Sequence, residues 1–197
     1  VFDQFLQPEN EKVAEYAAVL LRQSERLKKL IEDLVEASKA STGSVDVLAA
    51  PCEVGVLLTQ TVGEYEQRLR ENDLELIAKQ PETPVRIMAD GRHLWRVFDN
   101  LMNNVCKYAQ GGTRVYLTVE EKNGEAAISF KNTSKYPLDI SADELMARFV
   151  RGDSARSTDG NGLGLSIARS LTELQNGRLE LTVDGDLFKV VLYFSSI

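Results

Sequence analysis

The sequence predicts an α+β fold: a two-layer sandwich of a mixed sheet with helices on one face, preceded by one long helix. Three observations carry this. A four-three apolar spacing runs from Val13 to Ser38, two hairpin-like strand pairs lie around Asn123-Gly124 and Asp184-Gly185-Asp186, and separate helical patterns fall between the strands. The 197 residues suffice for one good core with an appendage.

The elements follow in order. Residues 9–40 read as a single helix, with Pro8 where a helix can start and Gly43 of "STGS" as its stop. Its seam positions, Val13, Ala17, Leu20, Ser24, Leu27, Ile31, Leu34 and Ser38, alternate steps of four and three and are too narrow a face to be stable alone in water. A partner helix in a dimer or bundle satisfies it, and so does folding back on its own domain. "VDVLAAPCEV" is short and extended, and residues 53–71 form an amphipathic helix through Val56, Leu57, Thr61 and Leu69. "LELIAKQ" and "VRIMAD" read as strands around a turn at Pro81 to Pro84, and residues 91–108 as a helix. "TRVYLTVEEKNGEAAISFKN" is a hairpin turning at Asn123-Gly124. A loop-rich region, 133–161, holds one short helix near "ADELMARF". Residues 162–176 form a helix opened by glycines, and "GRLELTVDGDLFKVVLYF" closes the chain as a second hairpin.

Bulk composition narrows function. Thirty acidic against 23 basic residues, net charge −7, argue against a nucleic-acid surface. No apolar run has the length of a membrane span, and the first residues lack the basic and apolar regions of a signal peptide. The first residue is Val1, which implies a piece of a longer chain with room for a membrane anchor upstream. Cys52 and Cys106 form no framework and fit a reducing compartment.

Two stretches carry chemistry. In the helix that carries "FDNLMNNVCKYA", residues 98–109, Leu94, Val97, Phe98, Leu101, Val105 and Tyr108 define the packed side. Asn100, Asn104 and Lys107 share one edge through their four-plus-three spacing. A carboxamide oxygen is a hard, neutral ligand suited to magnesium, and a lysine one turn on supplies a point charge for phosphate. An amide-rich edge that merely caps or bridges loops is the competing reading. In "DGNGLGLSIARS", Gly160, Gly162 and Gly164 alternate just before an amphipathic helix, whose N-terminal N–H groups and dipole favour an anion. No Gly-Lys-Ser/Thr follows, and no strand directly precedes the glycines, so neither a Walker loop nor a dinucleotide fingerprint fits.

These residues carry a resemblance. "DNLMNNVCKY" resembles the N-box of sensor histidine kinases, and "GNGLGLSIARSLTELQNG" is similar to their second glycine box. "ELMARFVRGDSARS" resembles their phenylalanine box and the start of the ATP lid. Residues 9–43 look like the second helix of the dimerisation hairpin. The implied fold is the Bergerat ATP-binding sandwich, shared with anti-sigma-factor kinases, a heat-shock chaperone, gyrase and mismatch-repair ATPases. The implied domains are residues 1–43, the second dimerisation helix, and 44–197, the catalytic ATP-binding domain with a lid at about 137–160.

The resemblance also implies roles. Asn104 would ligate magnesium with Asn100 beside it, Lys107 would contact phosphate, and Tyr108 would pack near the adenine or ribose. Gly160, Gly162 and Gly164 would cradle phosphates while Leu163 and Leu165 hold the turn. Phe149 would anchor the lid, and Arg148 or Arg151 would reach the γ-phosphate or partner helix. The implied cofactors are ATP and Mg2+. The implied partners are a second copy, through the dimerisation helices of the intact parent, and a response regulator. The implied setting is the cytoplasmic part of a membrane-anchored bacterial sensor, with neither nucleic acid nor a span in this segment.

Two departures stand out. Where the family's first glycine box places an Asp that accepts from the adenine amine, "ISFKNTSKYP" has Asn132, followed by Thr133 and Ser134 in place of glycines. An amide oxygen accepts without the charge of a carboxylate, which implies weaker nucleotide affinity. The single histidine, His93, opens the N-box helix, is followed by Leu94 rather than an acid, and reads as a helix-edge residue near the cleft. The chain therefore has no phosphoacceptor of its own and corresponds to the catalytic half of a histidine kinase that does not phosphorylate itself alone. The alternative is a dimerising signalling scaffold whose degenerate first glycine box has lost adenine. An ATPase of the chaperone or topoisomerase kind lacks its expected Glu, since residues 94–108 contain none.

Overall fold

The computed structural model describes residues 8–41, 45–138, 141–146 and 162–197. Helix α1 (Pro8–Ser41) leads into β1 (Ala50–Glu53), α2 (Val54–Glu71), β2 (Leu74–Lys79), β3 (Arg86–Ala89) and α3 (Gly91–Tyr108). Then come β4 (Thr113–Lys122), β5 (Glu125–Thr133), α4 (Ala142–Met146), α5 (Gly164–Glu173), β6 (Arg178–Asp184) and β7 (Leu187–Ser195). Five strands form one sheet in the order β2-β4-β5-β7-β6. Only β2 and β4 run parallel, so the sheet is mixed, as expected.

Both hairpins fall where the turn residues put them. Asn123 and Gly124 have φ of 54° and 77°, the left-handed pair that a two-residue turn between twisted strands needs. The second hairpin turns at Gly185, with φ of 56°. The strands around Pro81 to Pro84 do not pair with each other. Strand β2 joins the main sheet, whereas β3 pairs antiparallel with β1 in a separate two-stranded ribbon.

Alternation along β4 and β5 buries one face. Val115, Leu117 and Val119 line β4, and Ala126, Ile128 and Phe130 line β5. Against them α3 places Leu94, Val97, Phe98, Leu101, Met102 and Val105, each at most 2% exposed. Phe98 meets Phe130 edge to face with centroids 5.1 Å apart. On α2 the inward residues are Val54, Leu57, Leu58, Thr61, Tyr65 and Leu69. Val56, expected on that apolar face, is 62% exposed, because α2 turns its Val54–Leu58–Thr61 stripe to the core instead. Along α1 the seam residues Val13, Leu20, Leu27, Ile31 and Leu34 are exposed, although the helix also touches α5. Among the described residues no helix is long and apolar enough to cross a membrane.

The segment between α1 and β1 is tied down by a buried carboxylate. Asp90, 2% exposed, caps α3 by accepting from its own N-terminal Arg92 N–H at 3.0 Å and from the Arg92 guanidinium at 3.0 Å. It also accepts from the Leu48 N–H at 3.0 Å, while the Asp90 N–H donates to Gln175 Oε1 at 2.8 Å beyond α5. His93 lies here too, its Nε2 3.0 Å from the Asp46 carbonyl and 3.8 Å from Asp90. That corrects its expected place near the cleft: Asn104 is eleven residues on, about 16 Å along the helix. The Arg92 guanidinium first, then the Leu48 and Arg92 backbone N–H groups, hold the Asp90 carboxyl well below the usual range, against its burial.

Asp90→Ala is expected to cost about 2–4 kcal/mol, the cap plus an unpaired buried N–H. A carboxylate whose folded pKa is depressed contributes stability above its unfolded pKa of about 3.9, and loses it as pH falls through the folded value. The gap between native and variant chains in urea unfolding should therefore shrink by roughly 1 kcal/mol per pH unit below about 4. A gap independent of pH would show that the carboxylate is not held by these donors.

Candidate functional site

Three sides of α3 have three uses. Its apolar side packs on the sheet. A second edge, Asp99 and Asn103, faces α2: the Tyr65 hydroxyl donates to Asp99 Oδ1 at 2.5 Å, Asn103 Nδ2 donates to it at 3.0 Å, and Arg68 donates to Asn103 Oδ1 at 3.0 Å. Burial and the Asp99 carboxylate push the Tyr65 hydroxyl far above its usual range, so it remains a donor. Asp99 also pairs with Arg96 at 3.2 Å, so this acid, adjacent in sequence to the amide row, is committed to the α2 side.

The third edge is the Asn100, Asn104 and Lys107 row. A β-carbon placed on Gly164 would lie 3.3 Å from Asn100 Oδ1 and 3.7 Å from both amide atoms of Asn104. The start of α5 therefore sits directly on the two amides, and only a glycine lets the backbone come so close without displacement. Asn100 Nδ2 donates to the Arg96 carbonyl at 2.9 Å, which aims its oxygen toward α5. Both amides and Lys107 are half-buried.

The N-cap residue of α5, Leu163, provides no side-chain cap, no other cap is present among the described residues, and the first turn holds no acidic residue. Its first intrahelical bond runs from the Ile167 N–H to the Leu163 carbonyl at 2.9 Å, so the N–H groups of Gly164, Leu165 and Ser166 precede the ladder. By contrast, α3 is capped by Asp90, and α4 by a reciprocal Ser141–Glu144 capping box. Leu163 is 1% exposed and anchors the turn in the core, Leu165 packs partly against it, and Gly162 has φ of 66°, which suits glycine. The expected helix over 162–176 is α5 with this turn before it and a turn through Asn176 after it.

Asn132 is 4% exposed and follows Ala126, Ile128 and Phe130 on the helix side of β5. Its Nδ2 donates to the Thr133 carbonyl at 3.2 Å, the one hydrogen bond of this side chain among the described residues. Just beyond, Ser134 bridges to Ala109, and the Lys135 N–H donates to the Tyr108 carbonyl at 2.9 Å, joining the end of β5 to the end of α3. Glycines are not required at 133 and 134: among described non-glycine residues, positive φ occurs only at Asp73, Asn123 and Asn176. Ser134 instead makes a local turn, its hydroxyl donating to the Tyr136 carbonyl at 2.7 Å. Arg148, Phe149, Arg151 and Gly160, with most of the expected lid, lie outside the described residues. The motif reading missed Asp90 and Gln175. The Asp before "GRHLW" is an N-cap signal in its own right, whereas the Gln175 contact spans 85 positions and has no local signature.

A glycine-bearing, uncapped helix start set against a row of amides on a neighbouring helix, over a mixed sheet, is the architecture of an ATP-binding fold. The chain belongs to the family of histidine kinase-, DNA gyrase B- and HSP90-like ATPases, whose model matches residues 89–195. Within that family it is similar to sensor kinases. It is 28% identical to the sensor protein VanS of Enterococcus faecium over 84% of this chain and 43% of that one. To the signal transduction histidine-protein kinase BaeS of Escherichia coli K12 it is 27% identical, over 78% of this chain and 33% of that one. It thus spans less than half the length of these curated relatives. Among solved structures, full-length ShkA in complex with AMPPNP superposes with a TM-score of 0.78 at 22% identity, over 93% of this chain and 39% of that one. The histidine kinase AdeS of Acinetobacter baumannii gives 0.70 at 18% identity, over 90% and 82%.

Gly164→Ala tests the α3–α5 contact. It should leave thermal stability within a few degrees, since alanine suits a helix, while the Asn100 and Asn104 side-chain amide resonances shift as the row gives way. Unchanged amide resonances would mean that α5 does not rest on this row.

Proposed function

We propose that this chain is the Mg-ATP-binding catalytic part of a sensor histidine kinase. In this reading residues 44–197 form the ATP-binding domain with its lid at about 137–160, and 1–43 supply the second helix of a dimerisation hairpin. The observation that carries the reading is the apposition of Gly164 to Asn100 and Asn104, which sets an uncapped helix N-terminus against two neutral oxygen donors. The N–H groups opening α5 and the Lys107 ammonium would hold the phosphates, and Asn132 would accept from the adenine amine, with Tyr108 nearby. Arg148, Phe149, Arg151 and Gly160 belong to this proposal through their motif positions.

A magnesium ion fits this donor set: a hard cation that keeps most of its waters and shares phosphate oxygens needs few protein ligands, and Asn104 offers a carboxamide oxygen. Bound there, it would neutralise developing charge on the phosphates. The chain's own contribution is positioning. It fixes the triphosphate against α5 and presents the γ-phosphorus toward an incoming imidazole nitrogen. As the P–N bond forms, the bond to the β,γ-bridging oxygen breaks and ADP leaves. The receiving histidine would be on a dimerisation helix outside this sequence, because His93 is engaged at the far end of α3. A response-regulator aspartate would take the phosphoryl group next. The exposed seam of α1 suits a second copy of the chain, and any membrane attachment would belong to a segment upstream.

Calorimetric titration should show ATP and ADP binding that depends on magnesium and weakens about tenfold or more in Asn104→Ala, a loss of about 1.4 kcal/mol. The absence of heat at millimolar nucleotide, with the protein folded, would overturn the reading. A supplied dimerisation hairpin bearing its histidine should become acid-labile phosphorylated by the native chain and ATP, and not by Asn104→Ala.

A further inference from the structure

We propose that Gln175 is a positioning residue for the nucleotide site: its hydrogen bond to the N-cap residue of α3 sets how far α5 stands along α3, and so how the first N–H groups of α5 stand to Asn100 and Asn104. The inference rests on the nucleotide reading above. Gln175 lies two residues past α5, at the opposite end of that helix from Gly164, and is 4% exposed. Both ends of its amide are engaged. Nε2 donates to the Leu171 carbonyl at 2.7 Å, which folds the side chain back onto the last turn of α5 and makes it an arm of that helix. Oε1 accepts from the Asp90 N–H at 2.8 Å. The donor is equally fixed, since the Asp90 carboxylate accepts from the Arg92 N–H of α3 at 3.0 Å.

The two helices therefore meet at both ends of α5. At one end Gly164 rests on the amide row, and at the other the arm reaches the start of α3. Between them Ala168 and Thr172 follow Gly164 at steps of four, both fully buried, and the Thr172 hydroxyl turns to its own helix, donating to the Ala168 carbonyl at 2.7 Å. A face of glycine, alanine and threonine lets helices approach closely but raises only low ridges, and interlocking ridges and grooves are what resist sliding. A hydrogen bond has length and direction and weakens steeply when bent, so it supplies what this face lacks. Helix α5 has ten residues, about 15 Å, and moves as a rod, so a shift at Gln175 arrives undiminished at Gly164. A misplacement of about 1 Å is enough to cost a positioned site up to about a hundredfold.

The test pairs amide spectra of the whole chain, free of ligand, with calorimetric titration of ADP in magnesium. Gln175→Met keeps the length of the arm and removes both hydrogen bonds; Gln175→Ala takes its place if that variant does not fold. With far-UV circular dichroism confirming the fold, the backbone amides of Gly164, Leu165 and Ser166 and the side-chain amides of Asn100 and Asn104 should shift. Mg-ADP should bind about tenfold more weakly. Gln175→Glu at about pH 5 is the rescue: burial keeps the introduced carboxyl protonated, and in that form it offers an acceptor to Asp90 and a donor to Leu171 as the carboxamide does. Its affinity should match that of the native chain at the same pH, which shares Asp90, Arg92 and His93 and so cancels their titration. Shifts confined to the residues around Asp90 and Leu171 overturn the proposal and leave the nucleotide reading intact. So does a folded Gln175→Met or Gln175→Ala with native affinity, and so does a Gln175→Glu that stays as weak as they are. A native chain that binds no nucleotide overturns both.

Discussion

The rotation of α3 about its own axis is the constraint on which the rest of the site depends. Phe98 standing edge-on against Phe130 at 5.1 Å sets that rotation, since an aromatic pair has a preferred geometry beyond its buried area, worth about 0.5–1.5 kcal/mol. With Leu94, Leu101 and Val105 following on the same side, the helix has one orientation that buries all of them. The amide row is then turned toward α5 and Asp99 toward α2 by the helical repeat alone. A turn of one residue, about 100°, would exchange these roles and bury an acid against the sheet. The polar edges need no interaction of their own to be placed. The apolar arc places them.

A second constraint holds the ends together. Asp90 gathers the start of α3, the connection from α1 and, through Gln175, the end of α5. All three elements bear on the candidate site or on the long helix, and the residue they share, a carboxylate acceptor for two of them and a backbone donor to Gln175 for the third, is almost fully buried. A buried carboxylate is tolerable only when its lone pairs are used, and four donors from Leu48 and Arg92 use them. The path from α1 into the domain is therefore fixed by backbone hydrogen bonds as well as by packing. A second strand of the same logic runs through His93 and the Asp46 carbonyl.

What was legible in the sequence had a local cause. The α3 boundaries, the turn at Asn123-Gly124 and the glycine start of α5 each follow from periodicity or from a left-handed backbone that few residues accept. The seam on α1 was legible for the same reason, although a seam does not say what covers it. What the sequence hid was pairing at a distance. The alternation in residues 74–79 and 86–89 marks two strands, but not that they belong to different sheets. Val56 is apolar and in helical phase with Leu57 only loosely, and neighbouring stripes on one helix differ by less than the pattern resolves. The site divides the same way. The amides and glycines stood out as motifs, whereas their contact, Gly164 on Asn100, is tertiary and depends on how α3 and α5 pack. The turn at Ser134 shows the reverse case: missing glycines looked like damage, but the backbone there never needed them.

The electrostatics of the candidate site also follow from this division. A chain of net charge −7 must gather a favourable potential locally if it is to hold a polyanion. It does so with few formal charges. The α5 N-terminus contributes partial positive charge without an acidic cap, the two asparagines contribute dipoles without net charge, and Lys107 brings an ammonium. The acid adjacent in sequence, Asp99, is withdrawn to Tyr65 and Arg96 on the other side of the helix.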